Sequence, residues 1–223
     1  MTTVIVHGAG STGAAAARLV GARADAVLVE DRSGDIERVI DLLRTTLEER
    51  DDCTEVVGVS LGAHALARWA STATPPLPRL ICVLPAWTGD PGHTADATAA
   101  SARSVGDVGI TALLERLFAE NQYSDVVGLL DSAWAAYTDA ELTRCLERAS
   151  TSRAPTAEEL GAIRSHVTVV GWSGDVFHPD RVTREWARNL RRSNVAVAAR
   201  PEIRLVQQAL ATCGALRPAP PTR

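Results

Sequence analysis

The chain has 223 residues, of which 46% are hydrophobic and 22% are charged, and its formal net charge is −4. This length suits one well-buried domain, and the negative charge argues against nucleic acid or an anionic membrane as the main partner. All 23 basic residues are arginines. The absence of lysine excludes Schiff-base chemistry and a lysine-bearing phosphate loop.

The cysteines indicate a reducing compartment. Four of them are widely spaced and form no C-x-x-C pair, a pattern typical of small buried apolar side chains: Cys53, Cys82, Cys145 and Cys213. No apolar run reaches the length that crosses a membrane, and Met1 is followed almost at once by a strand pattern. We therefore expect a cytoplasmic protein without a signal peptide.

The first half of the chain alternates between strand and helix patterns. Short apolar runs predict strands at 3–6, 26–29 and 80–84 and one more leading into Gly58; helical spacing predicts helices at 14–20, 35–50 and 63–70. Strands that alternate with helices at these lengths predict a mostly parallel, doubly wound sheet.

The strand pattern stops between Leu84 and Val167. Helical patterns at 108–120, 126–135 and 139–149 take its place, which we interpret as a helical cap of about 88–165 inserted into a single domain. The core of that domain comprises residues 1–87 and 166–214. Further strands are predicted at 167–170 and 195–199, further helices at 179–191 and 202–211, and a disordered tail at 215–223.

A Gly58-x-Ser60-x-Gly62 segment joins a β-branched run to a helix-forming stretch. A serine on so sharp a strand-to-helix turn needs small neighbours, and the turn lifts its hydroxyl above the sheet edge. The backbone N–H of Leu61 and the helix N-terminus would then face an oxyanion formed there. The pattern predicts a nucleophilic serine; a tight turn with a solvated serine is the alternative.

The glycines near the N-terminus allow two interpretations. Gly8-x-Gly10-x-x-Gly13 follows a strand and opens a helix, and Glu30 and Asp31 end the next strand, as in a dinucleotide-binding fingerprint. The same stretch, beginning at His7, also fits an oxyanion loop in which Ala9 supplies the second N–H donor. We favour the oxyanion loop, because a dinucleotide fold would leave the later serine turn and the cap unexplained.

These segments together resemble the α/β-hydrolase family. The resemblance covers nearly the whole chain apart from the cap, and it lies in 7–11, 31–34, 58–62 and 174–179. It implies an α/β-hydrolase sheet with a helical cap, Ser60 as the nucleophile, Asp175 as the triad acid, and Ala9 and Leu61 as oxyanion donors. Such proteins usually begin with an extra hairpin, which this chain lacks.

The chain departs from that family at the general base. The family places its histidine after the last strand, where this chain has Ile203, and no histidine follows His178. His178 lies three residues after Asp175, so it is a candidate base, although it would otherwise simply begin a helix. His93, at the entrance to the cap, is a second candidate. The remaining histidines are read as structural: His7, His64 and His166.

Two tryptophans follow strands at the expected active-site edge. Trp87 and Trp172 could form the walls of an apolar pocket, and ordinary packing under the cap is the alternative. We include His7, Gly8 and His93 in the predicted substrate pocket. No histidine or carboxylate cluster has metal-ligand spacing, so we expect neither a metal ion nor a cofactor.

The sequence leads us to expect a small-molecule enzyme of ester, thioester or lactone acyl chemistry with an atypical triad. The apparent lack of a base keeps three alternatives open. These are a non-hydrolytic lyase, isomerase or cyclase that uses the same pocket, a catalytically silent binding protein, and a nucleotide-binding oxidoreductase. We expect no nucleic-acid or membrane partner and leave a homodimer open.

Overall fold

Six parallel strands form the centre of the molecule. The computed structural model describes residues 2–120 and 124–215. The sheet has the order β2-β1-β3-β4-β5-β6, in which all neighbours are parallel. Its strands are β1 (Thr2–Val6), β2 (Val27–Val29), β3 (Cys53–Val59), β4 (Arg79–Val83), β5 (Val167–Trp172) and β6 (Ser193–Ala198). The predicted parallel, doubly wound sheet is confirmed.

Helices cover both faces of the sheet. They are α1 (Gly13–Val20), α2 (Ile36–Glu48), α3 (Leu61–Thr72), α4 (His93–Glu120), α5 (Ser124–Trp134), α6 (Asp139–Ser150), α7 (Ala157–Ala162), α8 (Asp180–Asn189) and α9 (Ile203–Thr212). Alternate strand residues face opposite layers: Ile5 packs in one apolar cluster, while Val4 and Val6 pack in another. Burial on both sides explains why the central strands are nearly continuous apolar runs.

The order in which strands are added to the sheet reverses between β1 and β3, although all strands stay parallel. After β1 the chain forms β2 on one side, and then it crosses back to place β3 on the other side of β1. Ligands of open parallel sheets bind at such a reversal, beside the carboxyl ends of the strands. Ser60 follows β3 directly and His7 follows β1 directly, so both lie at this point.

In the described residues between β4 and β5 the chain forms four helices, in the region that the sequence assigns to the cap. Helix α4 is interrupted at Gly109, whose φ is 79°, and the Asp139 carboxylate accepts the backbone N–H of Ile110 where the helix resumes. The sequence predicts only the second half of α4, from residue 108, and it misses α7. The first half of α4 and the whole of α7 lack the apolar periodicity that would have predicted a helix.

The insertion packs onto the loop that follows β1. The Trp134 indole N–H donates to the Gly10 carbonyl at 2.9 Å, and the Tyr137 hydroxyl donates to the Ser11 carbonyl at 2.8 Å. A side chain at Gly34 would collide with the Cys145 carbonyl of α6, so the loop after β2 also contacts the insertion closely. The described part of the chain contains no helix long and apolar enough to span a membrane. The expected disordered tail, 215–223, lies outside the described residues apart from Ala215.

Candidate active site

Ser60 lies at a strained turn between β3 and α3. Its φ of 55° and ψ of −116° are unusual for a residue with a side chain, and its backbone N–H bonds the Val83 carbonyl at 2.9 Å. The flanking glycines are sterically required. A Cβ at Gly58 would lie 2.3 Å from the Gly62 carbonyl oxygen, and one at Gly62 would lie 2.2 Å from that of Val6. The sharp turn predicted at this serine is therefore present.

His178 lies beside the Ser60 hydroxyl. Its Nε2 is 3.0 Å from Ser60 Oγ, and its Nδ1 is 2.8 Å from Asp175 Oδ2. With Asp175 ionised, Nδ1 carries the proton and Nε2 is free to accept the serine proton. His178 does not begin α8, which starts at Asp180. The histidine that the sequence offers as a candidate base, three residues after Asp175, thus contacts both the serine and the acid, while no histidine lies at Ile203.

A turn within the loop explains how the acid and the histidine meet. The Asp175 Oδ1 accepts the backbone N–H of Phe177 at 2.8 Å, so the chain folds back over the carboxylate. This reversal brings the ring at position 178 over Oδ2. Gly174 enters the turn with a φ of 81°, and helix α8 follows at once.

The Asp175 carboxylate is well supplied with donors. Besides His178 and Phe177, the Trp172 indole N–H donates to Oδ2 at 2.6 Å. Burial favours the neutral acid, but the electrostatic interaction and hydrogen bond with His178, together with the other donors, outweigh it. The pKa of Asp175 is therefore below its usual value. The acid remains ionised, as the orientation of the His178 ring requires.

Two backbone N–H groups at this turn are without a partner in the described part of the chain. A Cβ at Gly8 would lie 2.9 Å from the Ser60 Cβ, so the loop after β1 runs directly against the serine. Among the described residues, the N–H groups of Ala9 and Leu61 have no hydrogen-bond partner. Leu61 is the first residue of α3, whose positive N-terminal end lies at the same place. The arrangement can accept a developing negative charge next to Ser60.

The first glycine motif is occupied by the protein's own side chains. The Glu30 carboxylate accepts the Gly13 N–H at 2.8 Å, which places a negative charge at the N-terminus of α1, where a dinucleotide phosphate would sit. Trp134 and Tyr137 cover the same loop from above. The structure thus favours the oxyanion-loop interpretation over the dinucleotide one.

Ile203, the expected place of the family histidine, belongs to the core. It is the first residue of α9, is 9% exposed, and packs in the same apolar cluster as Trp172 and Val206. Its backbone N–H donates to Asp125 Oδ2 at 2.9 Å. The position is therefore filled with apolar side chains.

Three predicted pocket residues have other surroundings. His93 is fully exposed and pairs with Asp96. His7 is buried, where its ring bonds the Gly8 carbonyl and accepts the Asp31 N–H. Trp87 is 7% exposed and donates to the Ser152 carbonyl. The sequence suggests these three residues as pocket walls, but His93 faces solvent and His7 and Trp87 are buried among other side chains.

Trp172 and His64 show contacts that the sequence does not reveal. Trp172, predicted as a pocket wall, is 4% exposed and bonds the acid instead. His64 is fully buried one turn after Ser60 and accepts the Ala86 N–H at 3.0 Å. Burial, with smaller contributions from His178 and Arg68, lowers the pKa of His64 to about 3, so the ring is neutral. In the sequence, the three-residue spacing from Trp172 to Asp175 was the one signal that could have indicated the bond between their side chains.

A groove of about 990 Å³ lies at the opposite end of the strands from Ser60. It is lined by Cys53, Trp69 and Arg79, among others, at the amino ends of β3 and β4. We give it no role in the chemistry, because Ser60 and its partners lie at the carboxyl ends. Within the described ranges, no group of three His, Cys, Asp or Glu residues could hold a metal ion.

No protein-family model matches the chain, and no curated protein sequence is significantly similar to it. Several solved structures share its fold. A carboxylesterase structure from the thaumarchaeon Nitrososphaera gargenis has a TM-score of 0.72 at 16% identity, covering 93% of this chain and 85% of that one. The enol-lactonase of Burkholderia xenovorans has a TM-score of 0.69 at 15% identity, covering 96% and 88%. A lipase-esterase related protein of Clostridium acetobutylicum has a TM-score of 0.70 at 12% identity, covering 96% and 91%.

Proposed function

Because the chain has the α/β-hydrolase fold, we propose that it is a serine hydrolase that cleaves a small ester, thioester or lactone. Ser60 is the nucleophile, His178 the general base and Asp175 the acid that orients it. The observation that carries the proposal is the continuous hydrogen-bonded line from Ser60 Oγ to His178 Nε2 at 3.0 Å and from His178 Nδ1 to Asp175 at 2.8 Å. A serine is a weak nucleophile unless such a base is adjacent.

The reaction follows from these contacts. His178 Nε2 takes the Ser60 proton as Oγ attacks the acyl carbon, and the carbonyl oxygen becomes an oxyanion facing the Ala9 and Leu61 N–H groups. The imidazolium then protonates the departing alkoxide or thiolate, which leaves an ester on Ser60. Water, deprotonated by the same nitrogen, hydrolyses that ester and restores the serine. Asp175 stabilises the imidazolium at both stages.

A serine without a well-placed base would react slowly, and the proposal predicts the opposite. With a base 3.0 Å from the hydroxyl, we expect prompt labelling of Ser60 by a fluorophosphonate probe. The contact between His178 Nε2 and Ser60 Oγ favours acyl chemistry over the non-hydrolytic alternatives.

The test compares two serines of the same helix region. We expect Ser60→Ala to abolish fluorophosphonate labelling and to reduce p-nitrophenyl acetate hydrolysis by about 10³-fold or more. Ser71→Ala, which removes only a bond from its hydroxyl to the Arg68 carbonyl of α3, is the matched control and should retain both activities. Hydrolysis retained in Ser60→Ala, or a wild-type protein that neither labels nor turns over, would refute the proposal.

A further inference from the structure

One residue connects the acid of the site to the sheet. Of the three donors to the Asp175 carboxylate, the Phe177 N–H and His178 Nδ1 belong to the same loop as the acid. The third, the Trp172 indole N–H, comes from the last residue of β5. The loop thus fixes the acid relative to the histidine, whereas Trp172 fixes it relative to the rest of the protein.

The Trp172 side chain is held rigidly. Its backbone pairs with Ala198 of β6, its side chain is 4% exposed, and it packs in the apolar cluster that contains Ile203 and Val206. An indole has only one polar hydrogen and cannot accept a hydrogen bond, so its direction is set once the ring is packed. The loop residues that follow it are more open, with Val176 68% exposed.

Ser60 and His178 are brought together from different segments of the chain. Ser60 depends on β3 and α3, whereas His178 depends on a loop whose own hydrogen bonds would survive a shift of the whole loop. The 3.0 Å approach of His178 Nε2 to Ser60 Oγ therefore needs a contact between that loop and the sheet. The bond from Trp172 Nε1 to Asp175 Oδ2 provides one, at the same oxygen that receives the histidine proton.

We infer that Trp172 is a positioning residue for the reaction, whose indole N–H holds the Asp175–His178 pair in register with Ser60. The inference rests on the proposed serine-hydrolase function and assigns to Trp172 a role beyond packing. A neutral donor suits this task, because it binds the ionised carboxylate strongly without cancelling the charge that stabilises the His178 imidazolium. Displacements of the order of one ångström are enough to cost much of the rate.

The test removes the N–H and keeps the aromatic packing. We expect Trp172→Phe to lower kcat for p-nitrophenyl acetate by about tenfold or more with KM changed by less than about twofold, because substrate contacts remain while alignment is lost. Trp186→Phe is the matched control, since that buried indole donates instead to the Trp87 carbonyl. It should leave kcat within about twofold of the wild-type value.

A spectroscopic readout separates alignment from packing. In wild-type protein we expect a strongly downfield proton resonance from His178 Nδ1–H, identified by its loss in His178→Ala. We expect this resonance to shift or broaden in Trp172→Phe and not in Trp186→Phe. In a spectrum of the five ¹⁵N-labelled indoles, the Trp172 N–H should lie downfield and should move upfield in Asp175→Ala. This last measurement needs no folded Trp172 variant.

The outcomes distinguish the two proposals. If wild-type protein is labelled by fluorophosphonate and Trp172→Phe is labelled at the same rate with unchanged kcat, the positioning role is refuted while the hydrolase function stands. An indole resonance that does not respond to Asp175→Ala also refutes the positioning role. If wild-type protein neither labels nor turns over, the hydrolase function itself fails.

Discussion

Two neighbouring loops at the same edge of the sheet differ in what they contribute. The loop of residues 173–179 follows β5 and brings both Asp175 and His178 to Ser60. The loop of residues 199–202 follows β6, where the α/β-hydrolase family places its histidine; this loop carries an ion pair between Arg200 and Glu202 and leads into the buried Ile203. The comparison shows that an imidazole nitrogen can reach the serine oxygen from the loop after β5 while the loop after β6 packs into the core.

The sharpest test of this difference concerns the two candidate bases. We expect His178→Ala to reduce p-nitrophenyl acetate hydrolysis and fluorophosphonate labelling by about 10³-fold or more, because Ser60 loses its proton acceptor. His93→Ala should keep nearly the wild-type rate, since that side chain is fully exposed and pairs with Asp96. A large loss in His93→Ala with normal rates in His178→Ala would move the base away from the loop after β5.

We expect a smaller loss of activity when the carboxylates that bond the two loops, Asp175 and Asp125, are changed. Asp175→Asn should lower kcat by about 100-fold or more, because the amide cannot stabilise the imidazolium and favours the wrong tautomer. Asp125→Asn weakens the acceptor for the Ile203 and Val126 N–H groups. It should change kcat little and lower the free energy of unfolding by about 1 kcal/mol. Equal kinetic losses in the two variants would contradict the division of roles between the loops.

The Asp175→Asn variant also predicts a pH effect on stability. Since the pKa of Asp175 is lower in the folded protein than in the unfolded chain, its contribution to stability is fully present above the usual carboxyl pKa of about 4 and is lost as the pH falls toward the folded value. Asp175→Asn should therefore flatten the acid limb of the stability profile. Urea unfolding between about pH 5 and pH 3 measures this slope, and an unchanged slope would count against the ionised, paired acid.

The smallest change is expected when the family position is refilled. Ile203→His in the His178→Ala background should restore hydrolysis by less than about twofold, because the new ring would enter an apolar cluster and its backbone is tied to Asp125. In the wild-type background we likewise expect no gain, for the same reason. A tenfold rescue in the double variant would show that the loop after β6 still reaches Ser60.

Much of the fold was predictable from local patterns. The strand and helix periodicity predicts the parallel sheet, and the glycines around Ser60 predict its strained turn. A Cβ at Gly58 or Gly62 would lie only 2.3 Å or 2.2 Å from a carbonyl oxygen, so only glycine fits there. The insertion was predicted in outline. The start of α4 was missed because its sequence is rich in alanine and threonine and lacks an apolar stripe.

The site was only partly predictable, because side-chain direction depends on the loop conformation. His178 was identified by its spacing from Asp175, but that spacing also fits a helix start, and only the turn closed by the Phe177 N–H distinguishes them. Trp172 and Trp87 looked alike in the sequence, since each follows a strand. One bonds the acid and the other a remote carbonyl. Such differences arise from tertiary packing, which periodicity does not encode.

The placement of Asp175 and His178 on one turn also lowers the entropy cost of bringing the site together. The Asp175–His178 contact spans three residues, so it closes locally at little entropic cost, whereas the Ser60–His178 contact spans 118. Only one long loop has to close to bring the reacting groups together. A triad drawn from three distant segments would require two such closures. The Ser60–His178 contact can therefore form once β3 and β5 are joined through β4, and the docking of β6 and α9 around Trp172 then fixes its alignment.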